Sequence, residues 1–194
     1  MTDFTLALTM FEAALIEAGV PMQAPGAADV RRDPRDPHVR SIRLELEQWL
    51  DWGGPAPAED GSYTPVFGSF RKLDHEDSAL LQDAFDRLYS DGNGLPTPWN
   101  EQVLNSAPRG SLAPIASESQ RSILLDLRSG RVLAQGHWDH DRFRVLAPSM
   151  AELLTGWTDL VTNDMTYNSG TRTWIPRRTD SIWNEGRLRI GGFV

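Results

Sequence analysis

Residues 122–127 (SILLDL), 131–135 (RVLAQ) and 142–147 (RFRVLA) decide the fold class. The first two are apolar runs of strand length, joined by Arg128, Ser129 and Gly130, and predict a β-hairpin. In the third, Arg142 and Arg144 alternate with Phe143 and Val145, the period-two pattern of a half-buried strand. Ser149 then opens a helix, because Glu152 stands three residues on in the capping-box position, where each side chain satisfies the other's free backbone N–H. Met150, Leu153, Leu154, Trp157, Leu160 and Val161 fall on one face of that helix, which is its buried side.

Three more helices are predicted upstream. Phe4, Leu8, Phe11 and Leu15 make one helical stripe, with Asp3 able to cap its start and Gly19 and Pro21 to end it. Pro21, Pro25, Gly26, Pro34 and Pro37 break regular structure as far as residue 37. A second helix runs from about Val39 to Trp52, with Ile42, Leu46, Trp49 and Leu50 on one face and Gly53-Gly54 as its stop. In the turn-rich stretch 55–73, Val66, Phe67 and Phe70 mark a short strand. Leu80, Leu81, Ala84, Phe85, Leu88 and Tyr89 recur at helical spacing behind Asp74 or Asp77, and Asp91-Gly92-Asn93-Gly94 closes this third helix. Residues 95–120, with Pro96, Pro98, Pro108, Gly110 and Pro114, read as a long loop. Beyond Asn163, Thr171–Ile175 and Arg187–Ile190 read as strands. This order predicts an α+β fold with a mixed or antiparallel sheet flanked by helices. The organisation expected is residues 1–38 as an N-terminal helix and Pro-rich linker, and 39–194 as one α+β domain.

Composition narrows the function. The chain has 194 residues, 40% of them hydrophobic, which is enough to build a core. A net charge of −8 argues against nucleic acid or an anionic membrane as partner; it serves solubility, or else favours a basic protein partner by electrostatic steering. Cysteine is absent, which removes disulfides and thiol chemistry and fits a reducing compartment. The N-terminus lacks a basic region and a cleavage site, and no apolar run reaches the length of a membrane span. A cytoplasmic location is expected. Lys72 is the only lysine against many arginines, a bias that genome composition accounts for.

Catalytic signatures are missing. Neither a phosphate-binding glycine loop nor a nucleophile elbow occurs. His137-Trp138-Asp139-His140-Asp141 holds imidazoles beside carboxylates, but in a strand His137 and His140 face opposite sides. It reads as a polar turn, with metal or acid/base use the lesser alternative. No catalytic residue, metal site or cofactor is expected. Among the seven tryptophans, Trp49 and Trp157 sit on buried helix faces, while Trp52, Trp99, Trp138, Trp174 and Trp183 lie at element ends or in loops.

A family pattern spans about residues 39–165. Leu112-Ala-Pro-Ile-Ala116, Ser122-Ile-Leu-Leu-Asp-Leu127, Gly130-Arg-Val132 and Val145-Leu-Ala-Pro-Ser-Met-Ala-Glu-Leu-Leu154 resemble the SUKH superfamily, the SMI/KNR-like proteins. Leu46-Glu-Gln-Trp-Leu-Asp-Trp-Gly-Gly54 is similar to that family's helix ending in an aromatic-glycine step. The loop 91–120, the Pro-rich segment before Val39 and the tail after Asn163 depart from the pattern. The resemblance implies a SUKH-like α+β domain over 39–194 and a binding role without shared catalytic residues. Bacterial members are commonly immunity proteins that neutralise a toxin, and fungal ones regulate cell-wall synthesis and signalling. The expectation is a non-enzymatic immunity protein that binds a basic toxin domain, with a regulatory scaffold as the alternative. Its candidate contacts are the loop aromatics and acids Trp52, Glu59, Asp60, Tyr63, Trp99, Glu101, Trp138, Asp139 and Asp141.

Overall fold

The computed structural model describes residues 3–24, 37–90, 112–118, 121–135 and 143–177. Among them the chain runs α1 (Phe4–Glu17), α2 (Pro37–Asp51), β1 (Arg71–Lys72), α3 (His75–Ser90), β2 (Leu112–Glu118), β3 (Arg121–Asp126), β4 (Val132–Gln135), β5 (Phe143–Ala147), α4 (Met150–Asn163), β6 (Met165–Asn168) and β7 (Thr173–Pro176). Strands β1 to β5 form one antiparallel sheet in chain order, and β6 and β7 form a separate hairpin. The fold is α+β, with an antiparallel sheet.

The apolar run of β3 follows from burial on both faces of the sheet. Ile123 and Leu125 point into the larger core with Ala113, Ile115, Val132 and Ala134, where α1, α2 and α4 also bury their faces. Leu124 points the other way, joining Leu112, Leu133 and Phe85 of α3 in a smaller cluster. Asp126 organises the β3–β4 turn. Its carboxylate accepts from the Arg128 N–H at 2.9 Å and the Ser129 hydroxyl at 2.6 Å. Gly130 takes φ 74° there, a left-handed conformation that favours glycine.

The helix ends follow local chemistry. The Asp3 carboxylate accepts from Thr5 N–H, so the expected cap of α1 forms, and at α4 the Ser149 hydroxyl accepts from Glu152 N–H at 3.2 Å, which is one half of the expected capping box. At the end of α1 the Gly19 N–H donates to the Ile16 carbonyl and the Val20 N–H to the Leu15 carbonyl, the paired bonds of a Schellman motif. All four residues assigned to the inner face of α2 are buried, as are all six assigned to α4. Helix α1, set apart with the linker in the sequence reading, packs into the same core through Phe4, Ala7, Phe11, Ala14 and Leu15.

Several local expectations are corrected. The loop expected over 95–120 gives way at Leu112 to a strand that is buried along nearly its whole length. Pro114 signalled a break, but it sits where the β2–β3 register shifts, a position at which a strand tolerates proline. Val66, Phe67 and Phe70 form no strand. Phe67 and Phe70 close a tight turn, and β1 begins after it. The alternation read in β5 fails at Val145, which is exposed while Leu146 and Ala147 are both buried. An irregularity in the β4–β5 pairing places Leu146 as an extra residue between two partners, and this upsets the period of two. In α3, Phe85 is buried as its spacing predicts, but Leu80 and Ala84 face solvent and Ser78 is buried. Strand β6 was not anticipated, and the strand expected at Thr171 begins at Thr173. Residues 187–190 lie outside the described residues.

Trp49 is fully buried, and its indole N–H donates to the Ile115 carbonyl at 2.9 Å. Trp49→Phe removes that bond and leaves a void. It should lower stability by about 1–3 kcal/mol in urea unfolding, whereas exposed Leu80→Ala should change it by less than about 0.5 kcal/mol.

Candidate functional site

A cleft of about 190 Å³ opens where the end of α2 meets the start of α3. Gly53, just past the end of α2, lines it. The residue 21–24 segment lies alongside: the Gln23 N–H donates to the Gly54 carbonyl at 3.0 Å and the Ala56 N–H to the Pro21 carbonyl at 2.7 Å. A Cβ on Gly53 would stand 2.4 Å from the Gln23 and Ala24 carbonyl oxygens, so only glycine permits this approach. Gln23 lines the cleft and also bonds the Gly53 carbonyl with its side-chain amide.

The opposite wall is charged. Asp74 caps α3, accepting from the Asp77 N–H at 2.9 Å, and Arg71 pairs with Asp77 at 2.8 Å. Lys72 enters between these walls, and its Nζ donates to the Leu50 carbonyl at 2.9 Å and the Leu73 carbonyl at 3.2 Å. The Leu50 carbonyl belongs to the last turn of α2, where carbonyls lack helical partners and a cation is favoured. Burial pushes the Lys72 amine down to about 8, although Asp74 and Asp51 pull in the opposite direction. Beside the cleft, the His75 imidazole lies 2.8 Å from the Asp51 carboxylate and 4.0 Å from Glu47. Nothing in the sequence spacing joins these three groups, since α2 and α3 are brought together only by folding.

Tyr63 lines the mouth of the cleft and is 48% exposed. The turn that leads into it carries Glu59 and Asp60, both exposed. The Asp60 carboxylate accepts from the hydroxyl and N–H of Ser62, and these bonds, helped by Arg172, hold it below the usual carboxylate range. These three of the expected contacts therefore share one edge. Trp52 does not belong with them. It is 6% exposed and packs against Phe11 and Trp49, because the turn after α2 folds its ring inward. Trp174, expected in a loop or at an element end, is likewise buried, against Phe67 and Tyr167. Trp99, Glu101, Trp138, Asp139 and Asp141 lie outside the described residues, as do His137, His140 and Trp183. Arg71, Lys72 and Asp77 were not anticipated as site residues. The one available signal was the solitary lysine.

Among the described residues no group of three His, Asp or Glu side chains is placed to hold a metal ion, and no helix is long and apolar enough to cross a membrane. No protein-family model matches the chain, and no curated protein is significantly similar to it in sequence.

The depressed Lys72 amine has a consequence for stability. Between pH 8 and 10.5 the unfolded chain holds this proton more firmly than the folded one, so the lysine makes stability rise with pH across that window. Lys72→Met has no such titration. Comparing wild type and variant by urea unfolding from pH 8 to 10.5, the difference should move in favour of wild type by on the order of 2–3 kcal/mol.

Proposed function

We propose that this chain is a non-enzymatic protein-binding module of the immunity type, which neutralises a basic toxin domain by direct contact. The observation that carries this reading is the edge formed by Glu59, Asp60 and Tyr63. An exposed aromatic ring stands there at the mouth of a cleft, next to two exposed carboxylates. Such a ring anchors an interface by burying large area with little rotamer entropy, and acidic neighbours steer a basic partner and fix its orientation. The net charge of −8 acts in the same direction at long range. The resemblance of residues 39–165 to the SUKH superfamily supports the same role, and under this reading the protein works in the cytoplasm.

The edge is also held in a defined shape. The Ala58 N–H donates to the Ser62 carbonyl and the Gly61 N–H to the Ala58 carbonyl, so the acidic turn is hydrogen-bonded within itself. A preformed turn loses less conformational entropy when a partner docks.

The test is calorimetric titration of the purified chain with toxin domains encoded beside its gene. Binding should weaken steeply with salt. Tyr63→Ala should weaken it by at least about tenfold. Reversing both charges (Glu59→Lys with Asp60→Lys) should chiefly slow association and flatten the salt dependence. Undiminished binding by both variants would remove this edge from the interface.

A further inference from the structure

Helix α1 is apolar on both sides. Phe4, Ala7, Phe11, Ala14 and Leu15 are buried in the core, and the helix carries no Lys or Arg. Its outer face holds Leu6, Thr9, Met10, Ala13 and Ile16, spaced at i, i+3, i+4, i+7 and i+10, and all five are exposed. Leu6, Met10 and Ile16 each keep more than half of their area open to solvent. A helix that is hydrophobic all round is normally covered all round, and a contiguous apolar stripe marks an interaction surface where a single exposed leucine does not. The charges of α1 and its cap, Asp3, Glu12 and Glu17, lie at the ends and one flank of this stripe and are all acidic.

We infer that this face docks a second copy of the chain, with α1 lying antiparallel against α1 of the second copy about a two-fold axis. The surface shares no residue with the Glu59–Tyr63 edge, and the pairing does not depend on the protein-binding reading. The spacing is self-complementary. A two-fold at the level of Phe11 sets Leu6 of one copy opposite Ile16 of the other, and Thr9 opposite Ala13, so large side chains meet large ones towards both ends. The small pair nearer the centre lets the helix axes approach to about 8–10 Å. Antiparallel packing also brings opposite ends of the two helix dipoles together.

Charge selects this occupant over others. An anionic membrane surface attracts helices whose polar flanks carry Lys and Arg, and α1 has neither. A basic protein is steered by carboxylates, and none lies within the stripe. An uncharged face is matched by another uncharged face, and the chain's own has the complementary spacing. Area then sets the strength. A helix of 14 residues is about 21 Å long and about 10–12 Å across, so its outer half offers on the order of 350 Å² per copy. This is less than half of the roughly 800 Å² per partner of a stable complex, so the dimer is weak, with a dissociation constant on the order of 0.1 mM. The net charge of −8 on each copy opposes pairing, and salt screens that repulsion.

The test is sedimentation equilibrium of the intact chain from about 10 μM to about 1 mM. In about 0.5 M salt the dimer should dominate at the highest concentration, and in about 0.05 M salt pairing should weaken, the reverse of the salt response expected for a basic partner. Ala13→Glu keeps a good helix former at an exposed position and should weaken pairing at least about tenfold, by burying a charge near the two-fold. Ala84→Glu adds the same charge at an exposed position of α3 and should not. Because the chain has no cysteine, disulfide trapping reads the register. Thr9→Cys chains mixed with Ala13→Cys chains should cross-link faster than either alone, since like residues stand about 6 Å apart along the axis while Thr9 and Ala13 are level. A monomer at the highest concentration in high salt, a dimer indifferent to Ala13→Glu, or no preference for the mixed cross-link overturns the proposal.

Discussion

Strand β2 runs for seven residues, but β1 pairs with it only through Arg71 and Lys72, so most of its outer edge needs other donors. A buried carbonyl left without one costs about 1–3 kcal/mol. The structure meets this demand with three different groups. The Leu73 N–H donates to the Ile115 carbonyl just past the end of β1, the Trp49 indole of α2 donates to the same oxygen, and the Ser78 hydroxyl of α3 donates to the Pro114 carbonyl at 2.6 Å. Satisfying one strand edge thus fixes two helices against the sheet, and with them the gap in which the cleft lies.

Trp49 also begins a connected set of rings that carries this constraint to both ends of the described chain. Its indole lies against Trp52 and Trp157. Trp157 of α4 touches Phe11 of α1 at 5.6 Å between centroids and stacks on Phe67 at 5.4 Å. Phe67 meets Trp174, and Trp174 meets Tyr167, so the β6–β7 hairpin is tied in as well. Each ring buries large apolar area, and tilted or offset pairs add about 0.5–1.5 kcal/mol beyond that burial. Helix α1 belongs to the fold for this reason: its Phe11 fills the space between Trp52 and Trp157.

The cleft is built from parts that serve the fold. Lys72 supplies donors to the end of α2, Asp74 caps α3, and Gly53 admits the 21–24 segment. The acidic turn at Glu59 and Asp60 is different, because it projects from the surface and satisfies its backbone within itself. A turn held by its own hydrogen bonds keeps its shape independently of the core, whereas the cleft walls are held by the core behind them.

The sequence by itself determined the fold class, the inner faces of α2 and α4, and the caps of α1 and α4. These depend on residues within a few positions of one another, so periodicity and cap spacing record them. The sequence also placed Glu59, Asp60 and Tyr63 in a turn-rich stretch, where all three are exposed, but it did not show that Thr64, Val66, Phe67 and Phe70 of the same stretch are buried. Tertiary structure alone decided that Trp52 and Trp174 are core, that a proline-bearing stretch from Leu112 is a buried strand, and that Leu80 faces solvent. It also brought Lys72 beside Leu50, and His75 beside Asp51. In each case the deciding neighbour is distant in sequence: Phe11 for Trp52, Phe67 for Trp174, and α2 for Lys72. Local pattern records which side of an element is apolar; what that side meets is set only when the elements pack.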